Sequence, residues 1–174
     1  MKDFQWLYEH ALQHKGASLE LMLPEVLTAA SVAELDERFI FSTLTRRIFR
    51  AGLKHSLVDS KWPAFEKVFF GFDPQKVALM SDDQLERLMQ NDQIIRHWGK
   101  LKATRLNAVM MTEIAERHGS CARWIADWPE EDIIGLWGVL KQQGSHLGGN
   151  SGAYFLRMLG KDTFVLTDDV VAAL

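Results

Sequence analysis

Apolar residues recur at a spacing of three or four along almost the whole chain, whereas no segment alternates apolar and polar residues as a half-buried β-strand does. This spacing places the apolar side chains on one face of a helix. The pattern therefore predicts an all-α fold with roughly eight to ten short helices. Since the middle of the chain separates the first helices from the last pair, we expect a two-lobed helical bundle with a cleft.

Residues typical of helix ends divide this pattern. Ser31 with Glu34, and Ser81 with Gln84, have the spacing of a capping box and predict two helix starts. Pro63 predicts another helix start, because the first turn of a helix tolerates proline. A glycine after a helical run, as at Gly52, predicts a helix end in the left-handed conformation.

A glycine-rich stretch interrupts the last part of the pattern, with glycines at 144, 148, 149 and 152. It predicts a tight turn between two helices that leaves several backbone N–H groups uncovered. Such a turn can bind a phosphate group, although it can also be a plain interhelical connection. Farther along, Asp168 and Asp169 open a short apolar run, where a carboxylate commonly caps a helix.

The composition excludes several classes of protein. At 174 residues and 47% hydrophobic, the chain is long enough for one globular unit with a substantial core. No apolar run reaches membrane-spanning length, so we expect a cytoplasmic protein with no membrane partner. The single cysteine, Cys121, excludes an intramolecular disulfide and a multi-cysteine zinc cluster. His10 and His14 lack further ligands, and we expect no metal site and no cofactor.

The net charge of −3 provides no general attraction to nucleic acid, so DNA binding must depend on local charge. Residues 44–61 contain five basic residues and one acidic residue, and residues 91–107 contain four basic residues and one acidic residue. Each segment is either an ordinary solvated helix face or a phosphate-binding surface.

Three short elements resemble the 3-methyladenine DNA glycosylase I family, a branch of the helix-hairpin-helix DNA glycosylase superfamily. They are Ala51-Gly52-Leu53, the run Phe72-Asp73-Pro74-Gln75-Lys76-Val77-Ala78, and Ile94-Ile95-Arg96-His97 with Lys100. Their order and spacing match over residues 41–107, and the match resumes over residues 144–171. The resemblance implies an all-α, two-lobed body with a C-terminal helix-hairpin-helix motif. Residues 1–174 would then form a single glycosylase-like unit, truncated or minimal at its C-terminus.

The resemblance also implies an enzyme that flips a damaged base, most readily an alkylated purine, out of double-stranded DNA and hydrolyses its N-glycosidic bond. We expect it to act as a monomer. No lysine lies within the hairpin to form a Schiff base, so a lyase step is not expected. The alternative is a catalytically inactive relative that only binds DNA.

Two DNA-binding elements follow from the resemblance. Leu53 lies where the family places the side chain that fills the gap left by the flipped base, although it can equally be a hydrophobic contact at a helix end. The hairpin would bind phosphate through backbone N–H groups and can hold a monovalent cation through its carbonyls. Gly149 matches the superfamily's obligatory glycine. The predicted hairpin contacts are Gly148, Gly149, Asn150, Ser151 and Gly152, of which Gly148, Asn150 and Ser151 differ from the usual residues.

Asp168 matches the catalytic aspartate of the superfamily, although Val170 replaces its usual histidine. A carboxylate here can stabilise the positive charge that develops on the sugar and orient the attacking water. The alternative for Asp168 is a helix cap.

The base pocket departs from the family pattern. Arg47 lies where the methyladenine branch normally has a base-reading glutamate, and His55 replaces a stacking tryptophan. A positive charge at Arg47 should repel a cationic base. Arg47, Phe49 and His55 are therefore predicted to form a pocket for a different base, although they can equally pack internally or bind phosphate.

Overall fold

The computed structural model describes residues 3–173, which form twelve α-helices, two short 3-10 turns and no strand. The helices are α1 Phe4–Lys15, α2 Ser18–Met22, α3 Ala29–Ala33, α4 Glu37–Arg50, α5 His55–Val68, α6 Pro74–Ala78, α7 Asp82–Leu88, α8 Trp98–His118, α9 Cys121–Ala126, α10 Ile133–Gln143, α11 Ser151–Leu159 and α12 Asp168–Ala173. The 3-10 turns are Phe70–Phe72 and Glu130–Asp132. The all-α prediction is confirmed, but the predicted number of helices was too low. Within these residues, no helix combines the length and the apolar character needed to cross a bilayer.

Helix α4 lies at the centre of the bundle. Its Ile40, Phe41, Leu44, Ile48 and Phe49 side chains are all buried, which matches the apolar spacing of this segment. The helix contacts α5, α6 and α8 as well as α9 and α11. One cluster of buried apolar side chains contains residues from all of these helices. The two predicted lobes would therefore share one hydrophobic core.

An aromatic group packs α5 against the 3-10 turn Phe70–Phe72. Trp62 stacks on Phe65 and on Phe72, with ring centroids 5.0 and 5.1 Å apart. The prediction of a helix start at Pro63 was wrong, because α5 begins at His55 and continues through the proline. Burial of Trp62 and Phe65 on either side of Pro63 offsets the backbone hydrogen bond that proline cannot make.

The predicted helix caps have two different outcomes. At Ser81 the capping box is present, with Gln84 as its second member. At Ser31 the prediction was wrong, because Ser31 lies inside α3 and Thr28 is the N-cap. The Thr28 hydroxyl accepts a hydrogen bond from the Ser31 backbone N–H at 3.2 Å. A threonine three residues earlier had taken the capping position.

Helix α8 is the longest helix and has a well-defined end at each side. The Nδ1 atom of His97 accepts a hydrogen bond from the Lys100 backbone N–H, and Gly119 follows the last turn with a positive φ. On its buried face, α8 carries three polar side chains, those of Lys100, Thr104 and Asn107. Two of them reach out of the helix to the turns described next.

Candidate active site and nucleic-acid interface

The turn that follows α4 holds the predicted wedge residue. Gly52 has a φ of 75°, as expected for a left-handed residue after a helix. Leu53 is half-buried and packs against the core. The Nζ atom of Lys100 donates hydrogen bonds to the carbonyls of Ala51 at 2.7 Å and Phe49 at 3.3 Å. These are carbonyls that the end of a helix leaves without an internal partner. The wedge role of Leu53 stays a prediction.

The glycine-rich turn of residues 144–150, the predicted hairpin, connects α10 to α11. The buried side chain of Leu147 anchors it, and Gly148 and Gly149 are exposed. Gly149 has a φ of 56°, which favours glycine. His146 adopts a φ of 63° although it carries a side chain. Backbone strain of this kind is common at functional sites.

Contacts within the protein occupy part of the predicted hairpin interface. The Ser151 backbone N–H donates to the Gly148 carbonyl at 3.2 Å, and the Asn150 amide donates to the Leu166 carbonyl at 2.6 Å. Gly152 is buried in the first turn of α11, and its contact with DNA stays a prediction. Gly148 and Gly149 therefore remain the exposed part of the predicted contact.

The hydrogen bond from Asn150 links the hairpin to the segment that leads to Asp168. Asp168 is the first residue of α12 and is exposed. The Thr167 hydroxyl accepts a hydrogen bond from the Val170 backbone N–H at 3.2 Å, which makes Thr167 the cap of this helix. The alternative in which Asp168 is the cap was therefore wrong.

The Asp168 carboxylate lies on the open surface. Among residues 3–173, no side chain forms a hydrogen bond or an ion pair with this carboxylate within 4.0 Å. A cavity of about 280 Å³ in the same segment is lined by Val165 and Val170 and does not include Asp168. The carboxylate is thus accessible but not enclosed.

Arg47 occupies a half-buried position on the last turn of α4. Its guanidinium lies 4.6 Å from the centroid of the Tyr154 ring, which belongs to α11. Burial lowers the pKa of Arg47, the nearby Tyr154 opposes this shift, and the nearby Arg50 adds to it. In the part of the chain that the structure describes, no carboxylate forms an ion pair with Arg47, and its Nε atom is buried without a hydrogen-bond partner. This donor and the positive charge favour a ligand with hydrogen-bond acceptors.

The three predicted pocket residues do not line one cavity. Phe49 is fully buried, with its ring centroid 4.6 Å from that of Phe65, which agrees with the alternative of internal packing. Its place in a base pocket stays a prediction. The ring is more stabilising in the apolar core than at the surface. His55 is exposed at the start of α5. None of the five cavities described is lined by Arg47, Phe49 or His55.

Most of the basic side chains in these two segments have partners inside the protein. The pairs are Arg50 with Asp59, Lys61 with the Asp92 carbonyl, Arg105 with Asp82, Arg46 with the Trp62 ring, and Lys102 with the Trp98 ring. Lys54 and Arg96 are exposed. Most of these basic side chains therefore make contacts within the fold, and few of them are available to phosphate groups.

Three residues of the site were missed from the sequence. Asn107 is fully buried and forms two hydrogen bonds with Ser145, in the hairpin. A polar residue on the apolar face of a long helix was the available signal. Thr167, directly before two acidic residues, had the signature of an N-cap. Tyr154 had no sequence signal for its contact with Arg47.

Comparison with known proteins identifies relatives for most of this architecture. The family model described as methyladenine glycosylase matches residues 30–143. The DNA-3-methyladenine glycosylase 1 of Escherichia coli (strain K12) is 39% identical over 77 residues, which are 44% of this chain and 41% of that protein. The DNA-3-methyladenine glycosylase of Haemophilus influenzae is 35% identical over 75 residues, 43% of this chain and 40% of that protein. The match thus spans about two fifths of these relatives.

A solved structure of 3-methyladenine DNA glycosylase I resembles the fold over a larger part of the chain. Its TM-score is 0.63 at 28% identity, and the match covers 73% of this chain and 80% of that chain. The hairpin and Asp168 lie after residue 143, beyond the residues that the family model matches.

Proposed function

Because the chain belongs to the methyladenine glycosylase family, we propose that it is a monofunctional DNA glycosylase that removes a damaged base, of the alkylated purine class, from double-stranded DNA. The curated relatives are named DNA-3-methyladenine glycosylases, which supports this class of reaction. The proposal includes flipping of the damaged nucleotide and action as a monomer in the cytoplasm.

The observation that carries the proposal is the free carboxylate of Asp168 beside the hairpin. Thr167 caps α12 in its place, and the Asn150 amide holds the Leu166 carbonyl two residues before Asp168. Because this carboxylate is exposed and has no partner among the described side chains, it is accessible to reacting groups.

The proposed reaction replaces the bond between the base and the sugar with a bond to water. The base leaves with the electron pair of the glycosidic bond, and positive charge develops on the sugar ring. The Asp168 carboxylate stabilises this charge and orients water toward the anomeric carbon, and the proton that the water loses passes to solvent. An alkylated base is a good leaving group, so one carboxylate suffices.

The DNA backbone would be held by the exposed backbone N–H groups around Gly148 and Gly149. Leu53 would fill the gap in the duplex. The side chain of Arg47 would lie near the extruded base and would disfavour a cationic one.

The predicted monovalent cation would need free carbonyl oxygens in the hairpin. The Ser145 carbonyl already accepts a hydrogen bond from Asn107, and the Gly148 carbonyl accepts one from Ser151. These contacts leave fewer oxygens for a cation. We therefore assign no cofactor to the reaction and no step to such an ion.

The test is single-turnover release of methylated purines from methylated duplex DNA. The wild type should release base, and Asp168→Asn should slow release by about 100-fold or more, a loss typical of removing one electrostatic stabiliser. Asp169→Asn is the matched control, since Asp169 is also exposed in the same turn of α12, and it should keep nearly the full rate. A wild type that binds the duplex and releases no base would instead be a catalytically inactive DNA-binding relative.

A further inference from the structure

Two buried polar side chains of α8 hold the two turns that are proposed to contact DNA. Lys100 and Asn107 lie seven positions apart, which places them on one face of the helix, about 10 Å apart along its axis. Lys100 reaches the turn of residues 51–53, and Asn107 reaches the hairpin of residues 144–150. No other described side chain of α8 donates to either turn.

The contact of Lys100 is short and shielded from solvent. Its ammonium donates to the Ala51 carbonyl at 2.7 Å and to the Phe49 carbonyl at 3.3 Å, and the residue is only 8% exposed. A buried ammonium is expensive unless its donors are satisfied. Loss of the Ala51 contact would release the backbone directly before Gly52 and Leu53.

The contact of Asn107 is a pair of hydrogen bonds with one residue. Its Nδ2 donates to the Ser145 carbonyl at 3.0 Å, and its Oδ1 accepts from the Ser145 backbone N–H at 2.7 Å. A carboxamide is suited to this pairing because it has one donor and one acceptor in the same plane. Asn107 thereby holds the first part of the hairpin, directly before the strained His146.

Helix α8 is a suitable support for both contacts. It runs over 21 residues, and its ends are capped by His97 and Gly119. Between the two positioning contacts, Thr104 is equally buried, but its hydroxyl donates only to the Lys100 carbonyl within the same helix. The three side chains are therefore all buried, but only Lys100 and Asn107 bind a turn outside the helix.

We propose that Lys100 and Asn107 are positioning residues, of which Lys100 holds the wedge turn and Asn107 holds the phosphate-binding hairpin, so that both turns engage one duplex together. This inference rests on the proposed function. The hairpin governs how tightly the strand is held, whereas the wedge turn governs how well the base is extruded. The two residues therefore act on different measurable quantities.

The first arm of the test measures binding of duplex DNA over a range of salt concentrations. Asn107→Ala should raise the dissociation constant for DNA about tenfold. The slope of log K against log salt should become shallower by the amount that corresponds to the loss of about one phosphate contact. Thr104→Val, which removes a buried hydroxyl that does not reach the hairpin, should leave both quantities unchanged. Thermal unfolding of each variant separates a loss of stability from a loss of binding.

The second arm measures base extrusion by the fluorescence of 2-aminopurine placed in the bound duplex. Lys100→Met keeps the length and apolar stem of the side chain and removes its donors. It should reduce the extruded fraction about tenfold at saturating protein while changing the dissociation constant little. If Asn107→Ala does not fold, this arm decides the proposal by itself.

Equal effects of Asn107→Ala and Thr104→Val on DNA binding would overturn the inference, as would an unchanged extruded fraction in Lys100→Met. Both arms read binding and extrusion, which precede bond cleavage. A wild type that binds and extrudes but releases no base would therefore refute the proposed hydrolysis and leave the positioning roles supported.

Discussion

The end of α4 and the start of α12 carry the two charged groups of the candidate site, and the fold supports them differently. At the end of α4, Phe49 is buried against Phe65, and Arg47 lies on the ring of Tyr154. At the start of α12, Asp168 is exposed, and Val171 in the next turn is exposed as well. One side of the site is part of the core, whereas the other lies on the surface.

This difference shows two ways of placing a functional group. Packing holds Arg47, so its position depends on side chains from distant parts of the chain. Local backbone contacts hold Asp168, namely the Thr167 cap and the hydrogen bond from Asn150 to the Leu166 carbonyl. We expect bound DNA to supply the enclosure that the protein alone does not provide around this carboxylate.

The largest expected effect is a difference in stability between substitutions at the end of α4 and substitutions at the start of α12. Phe49→Ala should lower the free energy of unfolding by about 3–5 kcal/mol, because it leaves a cavity in the core. Val171→Ala should change it by less than about 0.5 kcal/mol, since this side chain is mostly exposed. Urea denaturation measures both values. A small loss of stability in Phe49→Ala would favour a place for this ring in the base pocket over a place in the core.

An effect of intermediate size concerns the positive charge of Arg47, which is proposed to lie near the extruded base. Arg47→Met should raise kcat/KM for release of a cationic methylated purine about fivefold, because it removes a charge repulsion of about 1 kcal/mol. Arg46→Met is the control, since Arg46 is also half-buried but lies on the Trp62 ring, away from Tyr154. Similar gains in both variants would indicate a general charge effect and not a local one.

The smallest expected effect is a pH dependence of the free energy of unfolding that arises from Lys100, which contacts the end of α4. Burial lowers the pKa of Lys100, and the charge of Arg47 lowers it further. Between this lowered pKa and the ordinary value of 10.5, the unfolded chain binds more protons than the folded one. The free energy of unfolding of the wild type should therefore rise relative to that of Lys100→Met as the pH increases through this window.

The slope of this difference should stay below about 1.4 kcal/mol per pH unit, the limit for one titrating group. Chemical denaturation of both proteins at several alkaline pH values measures it. Parallel curves would show that Lys100 has the same pKa in the folded and unfolded states.

The sequence predicted those parts of the fold and of the site that depend on neighbouring residues. The left-handed Gly52, the capping box at Ser81 and the interhelical turn around Gly149 all follow from local backbone preferences. It failed at Pro63, where burial of the neighbouring Trp62 and Phe65 outweighed the local signal for a helix start.

The sequence by itself determined the helical class and the chemistry available, because periodicity, caps and side-chain types are properties of short segments. Only the tertiary structure decided which groups remain free. Asp168 is available because Thr167 caps α12, whereas Asn150 and Lys100 are engaged with carbonyls of other segments. Buried hydrogen bonds join residues that are distant along the chain, and no local pattern encodes their partners.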